Sequence, residues 1–287
     1  MAGFSTIKQR GGGQMTKLEY TFKNDILFKI IFTKYQHLLK NLVADFLAIE
    51  HGDIEEFLVI NPELYPDEVG KKFCRLDINI KVNGQLIDIE IQVENEGNYP
   101  TRALYYWAKE FSNSLNEGED YSELPKTIII SILGFRQFQN PNKFHHEFWP
   151  LEITTYEPLT DKCQLHFYEL PKLPPLDEKD EGKNLWLQLF NAKTEEDLEK
   201  ISKMEVDVMS QAIEAYRQAV VAPEFKELHR IRQKRHHDEV NAISYAKKQA
   251  AEEERQKWQD IVADRDAENA KLREELERLR STQNDQQ

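Results

Sequence analysis

One stretch of the chain, from Arg75 to Gly97 (RLDINIKVNGQLIDIEIQVENEG), alternates polar and apolar residues around an Asn83-Gly84 pair. A period of two is typical of a strand that buries one of its faces. An Asn-Gly pair between two such runs is the strongest short-range signal for a β-hairpin. The sequence therefore predicts two antiparallel strands with one apolar face and one face rich in carboxylates and amides.

The turn also predicts which side chains face each other. With a two-residue loop, Val82 pairs with Gln85, and continuing this register sets Asp77 directly opposite Glu90. Opposed side chains have Cβ atoms about 4.5–5.5 Å apart, so the two carboxylates repel unless something neutralises them. A divalent cation does so, since Mg²⁺ is commonly held by one or two carboxylates plus water and phosphate oxygens. Alternation alone favours a simpler interpretation, a sheet face that is exposed to water.

Other polar residues share this face. Asp88 lies opposite Asn79, one pair away from Glu90, and is interpreted as a secondary or solvent-facing acid. Gln92 follows Glu90 on the same face by two residues, roughly 7 Å along the strand. Glu94 continues the row and could approach a second metal ion. The face therefore offers several oxygen ligands near Glu90.

Outside the hairpin, the sequence of the first two thirds of the chain predicts the helices and strands of an α/β domain. Residues 24–47 predict one helix capped by Asn24 or Asp25, followed by a short strand near residues 56–64. Residues 101–118 predict a second helix that ends at Gly118, and "KTIIISIL" (126–133) has the continuous apolar character of a doubly buried strand. Residues 164–173 predict a further strand. The expected core face of the second helix contains Leu104, Trp107, Ala108, Phe111 and Leu115.

The chain changes character at the proline- and charge-rich segment Pro171–Lys183. We expect a disordered leader over residues 1–15, a first domain over 16–175, a helical region over 176–250, and a short coiled coil with its tail over 251–287. The coiled-coil seam has Trp258, Arg265, Leu272 and Leu279 at d positions and Val262, Asn269 and Leu276 at a positions. Such a seam predicts a parallel homodimer, with a buried Asn setting the register. A single solvated helix that frays is the alternative.

Composition limits the function classes. The formal net charge is −13, so contacts with a nucleic acid must be local and strongly salt-dependent. The two cysteines, Cys74 and Cys163, have no zinc-type spacing and fit a reducing cytoplasm. The N-terminal residues lack the apolar segment of a signal peptide, and no apolar run is long enough to cross a membrane. We therefore expect a cytoplasmic protein with no membrane partner.

The order of these elements, with an Asp and a Glu-x-Gln on the hairpin, resembles the PD-(D/E)XK nuclease core. More narrowly, the chain resembles the Rpn family of recombination-promoting nucleases and transposases. The segments that carry the resemblance are residues 24–32, 75–94, 102–111, 119–133 and 166–173. It implies a restriction-endonuclease-like fold, a mixed central sheet flanked by helices, followed by a helical region and a C-terminal coiled coil.

The resemblance also implies chemistry at named positions. The catalytic Asp of the family falls on Asp77 and its second acid on Glu90, and both are expected to hold Mg²⁺ or Mn²⁺. Gln92 takes the position of the superfamily's usual lysine, as is common in this family. An amide cannot supply lysine's positive charge, so Gln92 could orient a water molecule but could not act as a general base. The implied function is DNA endonuclease activity linked to recombination or mobile elements.

Several residues are accessory candidates. Asp25 is a candidate metal-site acid, although a role at the start of the first helix is the stronger interpretation. Lys29, Arg102 and Tyr106 are candidate DNA contacts, Arg102 and Tyr106 on the face of the second helix opposite its core. The basic stretch from Phe225 to Glu239 predicts either phosphate binding or a solvated helix.

Two alternatives to a nuclease remain open. One is a catalytically weakened nuclease fold that acts as a nucleic-acid-binding or regulatory protein. The presence of both Asp77 and Glu90 argues against this, because a degenerate site would be expected to lose one of them. The other alternative is an interaction protein organised mainly by its C-terminal coil.

Overall fold

A computed structural model describes residues 16–60, 78–95 and 97–284 of the chain. These residues form a mixed α/β domain and a long C-terminal helix, which confirms the predicted fold class. The strands are β1 (Phe57–Val59), β2 (Ile78–Val82), β3 (Gln85–Gln92), β4 (Thr127–Leu133), β5 (His145–Phe148) and β6 (Cys163–Glu169). The helices are α1 (Asp25–Lys34), α2 (Gln36–Leu47), α3 (Tyr99–Asn113), α4 (Lys183–Asn191), α5 (Glu195–Ser202), α6 (Asp207–Val221) and α7 (Pro223–Asn284).

The strands form one sheet in the order β1-β2-β3-β4-β6-β5. β1, β2 and β3 are antiparallel, whereas β3, β4 and β6 run parallel to one another. Every residue of β4 is buried, as its continuous apolar run predicted. The sequence interpretation did not identify β5, a short antiparallel strand at the edge with a polar sequence, HHEF.

The predicted hairpin is confirmed with its register. Asn83 and Gly84 have φ values of 48° and 76°, the left-handed conformation that this tight turn requires. The Asn83 side chain also accepts hydrogen bonds from the Glu55 and Glu56 N–H groups and donates one to the Asp53 carbonyl oxygen. The turn is therefore fastened to the segment that precedes β1.

The prediction of one long first helix was wrong. The segment forms two helices, α1 and α2, with a break at Tyr35, whose φ and ψ are −109° and 70°. Asn24 caps α1, since its side chain accepts a hydrogen bond from the Leu27 N–H. All residues from Ile26 to Phe32 are buried, and α1 packs against both α2 and α6. The helical spacing of apolar residues thus continues across a break in the backbone at Tyr35.

The predicted core face of α3 was only partly correct, since it shares Trp107 with the observed face, and the predicted end of the helix was wrong. The buried residues of α3 are Tyr99 and Ala103, with Trp107 packed against the same cluster, whereas Leu104 is 49% exposed. The helix ends at Asn113 rather than at Gly118. The sheet therefore contacts a stripe rotated by about one residue, or 100°, from the predicted one. This rotation brings Tyr99, and Arg102 beside it, toward the polar face of β3.

The long helix α7 contains the predicted coiled-coil segment. Its residues from Glu227 onward form a compact unit of their own. In the single chain the seam residues Trp258, Val262, Leu272 and Leu276 are 51–60% exposed. The Leu279 side chain is outside the described part. Among the helices of the described chain, none combines the length and apolar character needed to cross a bilayer.

Candidate active site

The polar face of β3 is buried rather than exposed to water. Asp88, Glu90 and Gln92 alternate along this face, and Asp88 and Glu90 are only 4% and 1% exposed. Helix α3 covers the face, since its Tyr99 packs against Phe167 of the same sheet. The simpler interpretation of the alternation, a solvent-exposed face, was therefore wrong for these two acids.

Tyr99 holds one oxygen of Glu90. The Tyr99 hydroxyl donates a hydrogen bond to Glu90 Oε2 at 2.6 Å, and it lies 2.9 Å from Ser131 Oγ. Ser131 is adjacent to Glu90 in the parallel register of β3 and β4. Burial, followed by the charge of Glu90, raises the pKa of Tyr99 well above its ordinary value of 10. The phenol therefore keeps its proton and remains a donor to the carboxylate.

The other oxygen of Glu90 has a different environment. Glu90 Oε1 is buried, and no residue of the described segments donates a hydrogen bond to it. A buried carboxylate oxygen without a donor is costly in free energy, so native structures rarely leave one unsatisfied. Carboxylate oxygens are ligands that Mg²⁺ and Mn²⁺ prefer. The environment of Oε1 therefore fits a divalent cation.

A second buried glutamate in the same sheet provides a direct comparison. Glu169, on β6, is also fully buried, yet both of its oxygens have partners. Oε1 accepts hydrogen bonds from the backbone N–H groups of Gln137 and Phe138, and Oε2 is 2.6 Å from the Lys172 ammonium. Both oxygens of Glu169 thus have hydrogen-bond or ion-pair partners, as expected of a buried carboxylate with a structural role. Glu90 differs because its Oε1 has no hydrogen-bond donor among the described residues.

Gln92 is oriented by a residue of α3. Arg102 Nη2 donates to Gln92 Oε1 at 2.7 Å, and its guanidinium lies 5.0 Å from the centre of the Tyr99 ring. Because a guanidinium group only donates hydrogen bonds, the amide oxygen must face Arg102. The amide nitrogen of Gln92 is then left to donate. Arg102 also adds a positive charge beside the position where the wider superfamily carries lysine.

Asp77 lies outside the described residues. The last described pair of the hairpin is Ile78 with Ile89, preceded by Asn79 with Asp88. The predicted register is confirmed for these pairs. The pairing of Asp77 with Glu90, and its role as a metal ligand, stay predictions.

The acid Asp88 has surroundings of its own. Asp88 pairs with Asn79 across the hairpin. Both residues line a small recess between the sheet and the helix, together with Glu110 of α3 and Thr127 of β4. The structure places Asp88 on the same face as Glu90, two residues earlier on β3. Its accessory metal role stays a prediction.

The two candidates on α1, Asp25 and Lys29, have different surroundings, and the metal-site role of Asp25 stays a prediction. Asp25 is the first residue of the helix, and its Oδ1 accepts a hydrogen bond from the Ile26 N–H at 2.8 Å. Lys29 is 1% exposed, and this burial does not support a contact with DNA. Tyr106, on α3, is half-buried one helical turn after Arg102. Its contact with DNA stays a prediction.

Sequence reasoning missed Tyr99 and Ser131. Both had detectable signals, since Ser131 is a small polar residue within an apolar run, and Tyr99 precedes Ala103 at helical spacing. What the sequence did not provide was the rotation of α3 on the sheet, which decides that these hydroxyls meet at Glu90.

The mixed sheet and its buried carboxylates define an α/β domain with a candidate metal centre. A family model described as "PD-(D/E)XK nuclease family transposase" matches residues 22–246, so the chain belongs to this family. PD-(D/E)XK nucleases typically use divalent metals, and a transposase family implies DNA as the substrate. No curated protein and no solved structure gives a significant match.

We predict that Tyr99→Phe lowers the free energy of unfolding by about 1–3 kcal/mol, because it removes the hydrogen bond that Tyr99 donates to the buried Glu90 Oε2. Urea unfolding at neutral pH measures the change. Tyr105→Phe, at a tyrosine of the same helix that is 62% exposed, is the matched control and should change stability by less than about 0.5 kcal/mol. Equal stability of the two variants would contradict the assigned hydrogen bond.

Proposed function

We propose that this protein is a metal-dependent DNA endonuclease that hydrolyses phosphodiester bonds in recombination or mobile-element activity. The observation that carries the proposal is the buried Glu90 Oε1, which has no donor among the described residues in a chain of the PD-(D/E)XK nuclease family. A structural carboxylate in the same sheet, Glu169, has partners on both oxygens. This difference supports the proposal that Glu90 is a metal ligand.

Glu90 and Asp77 would hold the ion, Mg²⁺ or Mn²⁺. When bound, such an ion makes a coordinated water more acidic and stabilises the charge that develops on the scissile phosphate. The chain's own residues supply the rest. Tyr99 keeps Glu90 in one rotamer through the hydrogen bond to Oε2, so that Oε1 is presented in a fixed position.

Arg102 and Gln92 would act together beside the ion. Gln92, with its amide oxygen engaged by Arg102, can donate an N–H to the attacking water or to a phosphate oxygen. The Arg102 guanidinium would provide the positive charge that Gln92 lacks. Preorganised charge of this kind stabilises a transition state more than it stabilises the bound substrate.

DNA binding would be local, because the chain as a whole is acidic. Arg102 and Tyr106 lie one turn apart on α3, beside the candidate site. The basic stretch from Phe225 to Glu239 falls in α7, and its Lys234 and Arg235 are exposed. Phosphate contacts from such residues would make the affinity fall steeply with salt concentration.

We predict that the full chain cleaves supercoiled plasmid with Mg²⁺ or Mn²⁺ and that EDTA abolishes the cleavage. Glu90→Gln and Asp77→Asn should each reduce the rate on the order of 10³-fold or more, since metal-ion stabilisation contributes several kcal/mol. Nicked and linear products on agarose gels measure the rate. Glu117→Gln is the matched control, because it makes the same change of residue type at an exposed position after the end of α3, and it should retain activity.

A catalytically weakened nuclease fold is the second candidate function. The near-complete burial of Glu90 favours it, because a scissile phosphate has little direct access to this carboxylate. Under this alternative the folded wild-type chain would bind DNA without cleaving it.

Cleavage that survives both Glu90→Gln and Asp77→Asn would place the activity elsewhere and contradict the proposed site.

We predict that Arg102→Gln lowers cleavage on the order of 10²-fold, the usual effect of removing one charge-stabilising donor. Lys109→Gln removes an exposed charge from the same helix and should leave the rate nearly unchanged. If Arg102 replaces the missing lysine, Gln92→Lys should restore part of the activity in the Arg102→Gln background. Equal rates for the Arg102 and Lys109 variants would rule out this role.

The C-terminal helix would join two copies of the chain as a homodimer. The seam residues of α7, including Val262, Leu272 and Leu276, expose apolar surface along one stripe of the single helix. A parallel pairing through this stripe would bring two single-strand-cutting sites into one assembly. A double-strand break would then follow from two coupled nicks.

We predict a dimeric mass for the wild-type chain in light scattering and a monomeric mass for Leu272→Lys, which places a charge at a d position. Glu274→Lys, two residues away at an outer position of the heptad, is the matched control and should remain dimeric. A monomeric wild-type chain at micromolar concentration would contradict the coiled-coil dimer.

A further inference from the structure

A second cluster of metal-ligand side chains lies at the far edge of the sheet. His145 and Glu147 of β5 and His166 of β6 each offer one ligand atom, and these three atoms lie within 4.8 Å of one another. The antiparallel register sets Glu147 directly opposite His166, whereas His145 faces Tyr168 in the next pair on the same face. Two short strands thus gather three donors without any help from loops.

This cluster is on the opposite side of the sheet from Glu90. In the parallel register, Glu90, Ser131 and Phe167 are neighbours across three strands, and Phe167 packs in the cluster beneath α3. Successive side chains of a strand point to opposite faces. His166 therefore points away from α3, so the edge cluster is separate from the candidate active site.

The two imidazoles already have nearly the spacing that a shared metal ion requires. His145 Nε2 and His166 Nδ1 are 3.1 Å apart. Two nitrogens bound to one tetrahedral Zn²⁺ at about 2.0–2.1 Å lie roughly 3.3–3.4 Å from each other. A movement of a few tenths of an ångström would open the pair to an ion. The His145 ring is held in place by stacking on Tyr168, with centroids 4.2 Å apart and planes at 8°.

The protonation state of both rings suits metal binding. Burial, followed by the neighbouring charges of His166 and Lys183, lowers the pKa of His145 to about 4. Burial is also the main cause that lowers the pKa of His166, with Glu147 acting in the opposite direction. Burial therefore favours the neutral form of both imidazoles, which is the form that coordinates a metal ion.

Outer hydrogen bonds orient the ligands. Trp149 Nε1 donates to Glu147 Oε1 at 2.6 Å, which fixes the carboxylate although it lies on an exposed edge. His166 Nε2 is 3.5 Å from Gln164 Oε1, an acceptor that favours the proton on Nε2 and leaves the Nδ1 lone pair directed at His145. Supporting contacts of this kind are characteristic of built metal sites.

We propose that His145, Glu147 and His166 form a transition-metal site, suited to Zn²⁺, that fastens the edge strand β5 to β6. Two imidazoles and one carboxylate are a recurrent zinc ligand set, and three protein ligands leave a fourth position for water. Mg²⁺ strongly prefers oxygen ligands, so this site should select a different ion from the one expected at Glu90. The proposal does not depend on nuclease activity.

The test measures zinc binding by the full-length chain after treatment with a chelator, with Mg²⁺ in large excess. Competition with a chromophoric zinc indicator gives the affinity, and Co²⁺ reports on the ligands through its visible absorption. We expect one ion per chain in the wild type and in Glu90→Gln. His145→Ala and His166→Ala should weaken binding by more than about 100-fold, beyond the effect of losing a supporting contact. His236→Ala, at an exposed histidine of α7, is the matched control.

Glu147→Gln is a second test of the zinc site that can be used if a histidine variant fails to fold. It is isosteric, it lies on the exposed edge, and it should still lower the affinity and remove the rise in melting temperature that zinc gives the wild type. Absence of zinc binding by the wild type would overturn the proposal. Unchanged affinity in Glu147→Gln and in a folded histidine variant would do the same. Loss of binding in Glu90→Gln would place the ion at the candidate active site and also overturn it.

Discussion

The register of β3 is the constraint on which the candidate site depends. The tight turn at Asn83-Gly84 fixes β3 against β2, and the parallel pairing with β4 fixes it on its other side. A slip of one residue would exchange the two faces of the strand, because side chains alternate with a period of two. Glu90 would then point away from α3 and lose Tyr99. The positive φ values of the turn are therefore a condition for the site as well as for the hairpin.

Local signals in the sequence predicted the hairpin, its register and the buried strand β4, because each depends on neighbouring residues. The sequence did not predict the rotation of α3, since several of its faces carry apolar residues and only contact with the sheet selects one. The same limit hid Tyr99, which becomes part of the site only through that rotation. The break at Tyr35 was not predicted because the helical spacing of apolar residues continues on both sides of it.

Burial of Glu90 has opposite consequences for stability and for the attraction of a cation. A charge in a low-dielectric environment is costly, and among the described residues Glu90 has one hydrogen-bond donor, Tyr99, which offsets only part of that cost. The same environment strengthens the attraction between the carboxylate and a cation. Glu169, satisfied on both oxygens, shows how the fold treats a glutamate whose role is structural. The two glutamates thus differ in their partners: both oxygens of Glu169 have one, whereas Glu90 Oε1 has none among the described residues.

The sheet separates two kinds of donor chemistry by position. Hard carboxylate oxygens lie on the central strand β3, where neighbours on both sides and α3 above hold them rigidly. Imidazole nitrogens lie on the opposite face at the edge, where β5 has only one neighbouring strand. An edge strand of four residues has few backbone hydrogen bonds, so a bound ion would contribute most to stability there.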